Sequence, residues 1–350
     1  MSKLPRVIIN LPKIVHNYQK INERCNRAGI TLTGVIKGVA GDLNIIEALV
    51  EAGLRELGDS RLENLSRLPD FSATRKMLLR LPALSLLQET LEMADISLNS
   101  ETDTLKSLDR LAKKHQIFLM VDLGDLREGV TEDRLPELGA VCRSLKNIEA
   151  IGLGANFSCF AGVIPTIAKL ERLSVLAQFL RDEFRLPIRF VSGGNSSSLP
   201  LLYSGKMPKG INHLRIGEGI LLGRETLFGK VLQDLYRDAF IIEAEIIQSQ
   251  WKPALPDGEI GMDAFGRKPC LPALEAGVRL LLRLGHQDTP LDGLTPVDPD
   301  LTVMGGSSDY LVIASPKKLK VGETVQFLPN YWSLLGIMTS PYVEKTYTNN

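Results

Sequence analysis

The sequence carries no net charge: Lys plus Arg and Asp plus Glu each number 41, so it lacks the footprint of a nucleic-acid or membrane-surface binder. The expected partners are a small molecule or a second copy of the chain. Cysteine is scarce. The four, Cys25, Cys142, Cys159 and Cys270, lie far apart and form no CxxC pair, which argues against a zinc ribbon or a disulfide framework and for a reducing cytoplasm. No stretch is apolar for long enough to span a bilayer, and the proline-interrupted opening MSKLPRVIINLPKI lacks the apolar core of a signal peptide. There is no internal repeat and no low-complexity tract. What is present is 350 residues with 44% hydrophobic content, enough to bury one large core or two smaller ones.

Through the first two thirds, short runs that are apolar at nearly every position alternate with helical patterns, as expected of strands buried on both faces. Eight strands are predicted, over 32–36, 54–58, 76–81, 94–98, 117–121, 150–155, 188–191 and 213–216. Helices are predicted over 12–28, 44–52, 102–114, 136–144 and 164–184. Repeated βα units in this number point to a TIM-type (β/α)8 barrel, with an open doubly wound sheet as the alternative. After Phe228 the texture changes to strand-like pieces punctuated by Pro and Gly, over 240–247, 278–284, 301–304, 310–313 and 323–328. The expected division is a barrel over 11–230 and a mainly-β domain over 231–350, joined by the strand-like opening run 6–10.

Chemistry in such a barrel sits at the carboxyl ends of the strands. Lys37 ends the apolar run GVI and precedes the small-residue turn GVAGD. A lysine desolvated there has a lowered amine pKa, whereas a solvated strand-end lysine has no such property. SGGNSSS, spanning Asn195 and Ser196, follows the seventh predicted strand and suits a phosphate through glycine backbone and serine hydroxyls, or else simply caps a helix. In LRIGEGILLG, Gly217 and Gly219 can expose N–H groups beside the same anion, with Arg215 facing the pocket. In VDLGDLREG, Arg127 is a candidate for bidentate pairing with a carboxylate or phenolate, or is a surface arginine among acidic neighbours. Asn156 ends the sixth strand, where it orients a ring or caps a loop.

Taken in order, these segments resemble the fold-type III pyridoxal-phosphate enzymes of the alanine racemase family, over nearly the whole chain. GGSSDYLVI and NYWSLLGIMTSPYVEKTY extend the likeness into the second domain. The resemblance implies a barrel plus β domain, a head-to-tail homodimer, and pyridoxal 5'-phosphate held by Lys37 as a Schiff base. It implies Arg215 at the pyridine nitrogen, Ser196, Gly217 and Tyr331 at the phosphate, and Arg127 at the cofactor oxygen or substrate carboxylate. Asp309 falls beside the substrate.

The departures are equally informative. LGHQDT places His286 where the family has its second, tyrosine base, Gly41 replaces the tyrosine after the lysine, Met120 stands where the family often carries a carbamylated lysine, and Asn156 replaces a histidine. Within the family the sequence is most similar to the alanine/ornithine racemase branch, through ADISLNSE, GMDAFG and GHQD together with the segments above. That implies racemisation of a diamino acid, ornithine or lysine, with Lys37 and His286 serving opposite faces. Acidic residues would read the second amine, since an unpaired buried ammonium is costly, and Asp288, Asp309 and Asp263 are the candidates. The rival readings are an alanine or broad-specificity racemase, a non-catalytic pyridoxal-phosphate carrier, a D-amino-acid dehydratase, and a decarboxylase with Glu218 at the pyridine nitrogen. No His/Cys metal pair is apparent.

Overall fold

The computed structural model describes residues 4–69, 71, 74–268 and 275–349, so Cys270 lies outside the described residues. The chain forms two compact units, one over Ile14–Tyr236 and the other from the described residues up to Lys13 and from Arg237 onward.

After the opening strand β1 (Arg6–Asn10), which belongs to the second unit, eight parallel strands close a barrel in chain order: β2 (Thr31–Val35), β3 (Glu56–Asp59), β4 (Arg75–Leu78), β5 (Ile96–Asn99), β6 (His115–Met120), β7 (Ile148–Gly154), β8 (Phe190–Ser192) and β9 (His213–Ile216). All eight predicted strands are found, with ends displaced by a few residues. The open-sheet alternative falls because β9 returns to pair with β2, Thr31 opposite His213 through Gly34 opposite Ile216.

The apolar runs exist because both faces of these strands are covered. Met77, Ile96, Leu98, Phe118, Met120 and Ile151 form one buried cluster, joined by Leu79, Leu81 and Phe190. Phe118 needs the glycine beside it, since a Cβ at Gly152 would sit 2.5 Å from its ring. A polar layer crosses the same interior: Glu56 accepts hydrogen bonds from the Thr33 hydroxyl and meets His213 Nε2 at 3.0 Å, while His213 Nδ1 meets Ser192 Oγ at 2.8 Å. Burial opposes the charge on Glu56, but His213, Thr33 and the Arg75 guanidinium hold its pKa at about 2.

The helix Leu11–Arg27 buries Ile14, Tyr18, Ile21 and Cys25, the 3–4 spacing of one helical face. Asn17 on that face clamps two distant segments, donating to Ile220 and Tyr236 carbonyls and accepting the Tyr236 N–H. No described helix is long and apolar enough to cross a membrane.

The second unit is an eight-stranded, mostly antiparallel sheet. Its main path runs β12 (Leu294–Pro296), β15 (Thr324–Pro329), β10 (Phe240–Lys252), β11 (Gly277–Leu282), β14 (Leu311–Ser315) and β13 (Thr302–Gly306). The strand β1 pairs antiparallel with β10 and parallel with β16 (Glu344–Thr348), so the chain's two described ends meet in one sheet.

Candidate active site

The carboxyl edge of the barrel is built by turns that the sequence enforces locally. Lys37 opens a short 3-10 turn just past β2. Ala40 and Gly41 then adopt left-handed backbone, and Asp42 caps the next helix by accepting the Ile45 N–H. Gly41 is required twice over, since a Cβ there would also press on Asn64 at 2.9 Å. Burial lowers the Lys37 amine pKa. Cys159 opposes that shift, Arg127 adds to it, and Asp59 and Glu128 oppose it.

The VDLGDLREG segment is a closed loop after β6. Its base is a bridge between Val121 and Val130, with Asp122 N–H donating to Val130 and Val130 N–H to Met120. The Asp122 carboxylate gathers the N–H groups of Gly124 and Leu126 inside the loop. A Cβ at Gly129 would lie 2.6 Å from Asp122 N and Val121 C, so the returning chain passes there only as glycine. Arg127 and Glu128 are thereby presented together and form an ion pair. Asp125, also in this loop, is buried and accepts the N–H groups of Cys159 and Phe160, tying the loop to the one after β7.

Arg215 lies inside β9 and is 3% exposed. Its Nη2 donates to the Ala155 carbonyl at 2.7 Å and to Asn156 Oδ1 at 3.2 Å. Its Nε is buried and has no partner among the described residues. Burial brings its pKa down to about 10, against the pull of Glu128 and Cys159. Glu218 is engaged elsewhere: its carboxylate accepts from Arg224 Nε at 2.7 Å, while burial raises its pKa and Arg224 opposes the rise.

The two glycine-rich loops meet. Gly219 N–H donates to Ser196 Oγ at 3.0 Å, joining the loop after β8 to the one after β9. Gly194 takes a φ of 99°, and a Cβ at Gly217 would lie 3.1 Å from Val35. Asn195 spends its side chain within the edge, accepting Ser197 N–H and donating to the Phe157 carbonyl and Cys159 Sγ. Ser197 Oγ is buried and has no partner among the described residues. An orphaned serine hydroxyl, an orphaned guanidinium N–H, glycines at close approach and a desolvated lysine are the donor set that an anionic, carbonyl-bearing ring with a phosphate requires. The residues present fit pyridoxal phosphate.

The structure thus brings Lys37, Arg127, Asn156, Asn195, Ser196, Arg215 and Gly217 to the carboxyl side of one barrel. A cavity of about 1210 Å³, lined among others by Arg75, Lys76, Asp95, Lys114 and Glu149, opens instead at the amino-terminal ends of the strands, the face that serves stability in this architecture.

The other expected residues belong to the second unit. His286 follows β11, donates its backbone N–H to Ser307 and sets its ring edge-on to Phe265 at 4.9 Å. Asp288 accepts the Gly285 N–H, and burial raises its pKa, with that N–H and Arg283 opposing. Asp309 accepts from Gln287 and from the Ser308 hydroxyl. Gly285 is needed because a Cβ would collide with the Ser308 carbonyl. Tyr331 opens the helix Tyr331–Thr339, which Asn330 caps. Asp263 caps its own turn through the N–H groups of Phe265 and Arg267. Neither Glu128 nor Asp125 stands out in the sequence, although both lie beside Arg127 in the same motif.

The sequence family described as alanine racemase, N-terminal domain, matches residues 9–224. An ornithine racemase of Acetoanaerobium sticklandii is 41% identical over 349 residues, covering 97% of this chain and 99% of that protein. A lysine racemase of Thermotoga maritima is 40% identical, covering 98% of each. Among solved structures, an alanine racemase from Bartonella henselae with covalently bound pyridoxal phosphate superposes with a TM-score of 0.73 at 18% identity, over 99% of this chain and all of that one. The chain belongs to the alanine racemase family.

Proposed function

We propose that the chain is a pyridoxal-phosphate-dependent racemase of a diamino acid, ornithine or lysine. The observation that carries the chemistry is the half-buried, desolvated Lys37 amine just past β2, at a barrel edge that holds Arg127, Arg215 and the paired glycine loops. The full-length similarity to an ornithine and a lysine racemase supports the substrate class.

Bound pyridoxal phosphate supplies an electron sink that makes the α-proton of an amino acid removable. Lys37 would hold it covalently, and its amine would exchange the α-proton on one face of the substrate. Desolvation favours the neutral amine that this task requires. Arg215 would donate its unpartnered Nε to the ring nitrogen, and a cation there disfavours protonation and so restrains side reactions. Glu218, held by Arg224, is less available for that contact, which weighs against the decarboxylase reading. Ser196, Ser197 and Gly217 would hold the phosphate, and Arg127 the substrate carboxylate or the cofactor oxygen. Asn156 would support Arg215.

His286 would serve the opposite face, delivered by a second copy in a head-to-tail homodimer. Asp288 and Asp309, in the same segment of the β unit, would read the distal amine. The described Cys25, Cys142 and Cys159 are free thiols, which supports a reducing cytoplasm. A β unit running from Arg237 to the described end supports an enzyme over a single-domain carrier.

Circular dichroism of the protein incubated with each enantiomer of ornithine, lysine, alanine and serine tests the reading. Ornithine or lysine should lose optical activity without change of mass. Carbon dioxide release would overturn it in favour of decarboxylation, and absence of turnover with every amino acid would revive the carrier. Lys37→Ala should lower racemisation at least on the order of 10²- to 10⁴-fold, the usual contribution of a proton-transfer group.

A further inference from the structure

Three basic side chains share the carboxyl edge of the barrel, and one carboxylate bridges two of them. Glu128 meets the Arg127 guanidinium at two points, Nε to Oε2 and Nη2 to Oε1, the latter at 2.7 Å. Glu128 Oε1 also accepts from Asn156 Nδ2, and Asn156 Oδ1 accepts from Arg215 Nη2. The Glu128 side chain is 12% exposed, against 39% for Arg127. Four groups face the Lys37 amine electrostatically: Cys159, Arg127, Asp59 and Glu128.

An amide side chain has one donor end and one acceptor end. A carboxylate on one side and a guanidinium on the other leave Asn156 a single orientation that satisfies both. Glu128 is the partner that orders the Arg127 guanidinium. We propose that Glu128 is a positioning residue: its carboxylate holds Arg127 directly, and Arg215 through Asn156, in the orientations that meet cofactor and substrate, and its charge offsets the gathering of Lys37 with two guanidinium groups. This rests on the reading of Lys37, Arg127 and Arg215 as the cofactor site. Asp59 is less suited to the role, because its carboxylate is taken up by Arg61 N–H and Asn64 Nδ2 beside its own strand.

The experiment uses the full-length protein as wild type, Glu128→Gln and Glu128→Ala, each with cofactor and after its removal. Pyridoxal phosphate affinity is read by absorbance titration, Lys37 by the pH dependence of its labelling with an amine-directed reagent in the cofactor-free protein, and folding by melting temperature. Glu128→Gln should melt with the wild type yet bind pyridoxal phosphate on the order of tenfold more weakly, the loss of a charged hydrogen bond. Its Lys37 should become reactive at lower pH, because the anion that favours the ammonium is gone while Cys159, Arg127 and Asp59 remain. Glu128→Ala, which also removes the acceptor for Asn156, should bind more weakly still.

A Glu128→Gln protein with wild-type affinity and labelling profile overturns the role, as does one altered in melting temperature alone. A wild-type protein that takes up no pyridoxal phosphate overturns the cofactor reading instead. In that case the labelling profile still reports whether Glu128 acts on Lys37.

Discussion

Desolvation of its amine sets Lys37 apart. Its amine is pushed toward the neutral form by desolvation, and only partly restored by Cys159, Asp59 and Glu128. The position was legible because an apolar run ending in lysine, followed by small residues, places the side chain at a strand end in any β/α unit. His286 stood out in the same way, as a departure within a family segment. If it serves the second face, His286→Ala should still exchange the α-proton of one ornithine enantiomer with solvent deuterium. Exchange from the other enantiomer should fall on the order of 10²- to 10⁴-fold, the range of a lost proton-transfer group. Proton NMR in deuterium oxide checks this, and undiminished exchange from both enantiomers removes His286 from the mechanism. Glu128 and Asp125 were not legible, because an acidic residue beside an arginine looks like surface charge until its partners, Asn156 and the Cys159 backbone, are brought up from another loop.

At the scale of elements, the loop after β6 shows how turn chemistry serves a site. Asp122 collects two N–H groups and Gly129 permits the crossing, so the loop holds its shape without a core of its own. Replacing Asp122 with alanine leaves those exposed N–H groups to water, at a cost of about 0.5–1.5 kcal/mol. The expected result is a raised KM, with kcat changed less, because Arg127 is misplaced in the ground state and the transition state alike; steady-state kinetics of the variant measure it, and an unchanged KM refutes the link. Strands read well from sequence because both faces are buried. The strand β16, with sequence EKTYT, has no apolar run and exists through its pairing with β1 more than three hundred residues away. The short helices Leu62–Ser66, Leu87–Met93 and Glu218–Leu222 also escaped, being too brief to show a period.

For the whole molecule, the buried ionisable groups make stability depend on pH. His115 meets Ser97 Oγ at 2.9 Å, and burial lowers its pKa from the ordinary 6.5 to about 4, with Asp95 opposing. Between those values the unfolded chain binds a proton that the folded chain does not, so stability falls as pH falls, by at most about 1.4 kcal/mol per pH unit. His213, its pKa lowered by burial against the pull of Glu56, acts in the same sense. Glu56 is the complementary case: with its pKa depressed from 4.5 to about 2, its contribution is complete above 4.5 and is lost as pH falls toward 2. Melting temperature should therefore decline from pH 7 to pH 4, and His115→Asn, which keeps a hydrogen-bonding group near Ser97, should decline less steeply. Equal slopes for the two proteins would contradict the assignment. The sequence by itself determined the eight buried strands, the β-rich second unit and the strand-end place of Lys37, since each follows from local pattern and spacing. Only the tertiary structure decided which carboxylate pairs with Arg127 and holds Asn156, why Arg215 Nε is left to seek a partner, and that β16 pairs with β1. Those outcomes depend on groups far apart in the chain, whose desolvation and hydrogen bonding are set only when the barrel and the sheet have formed.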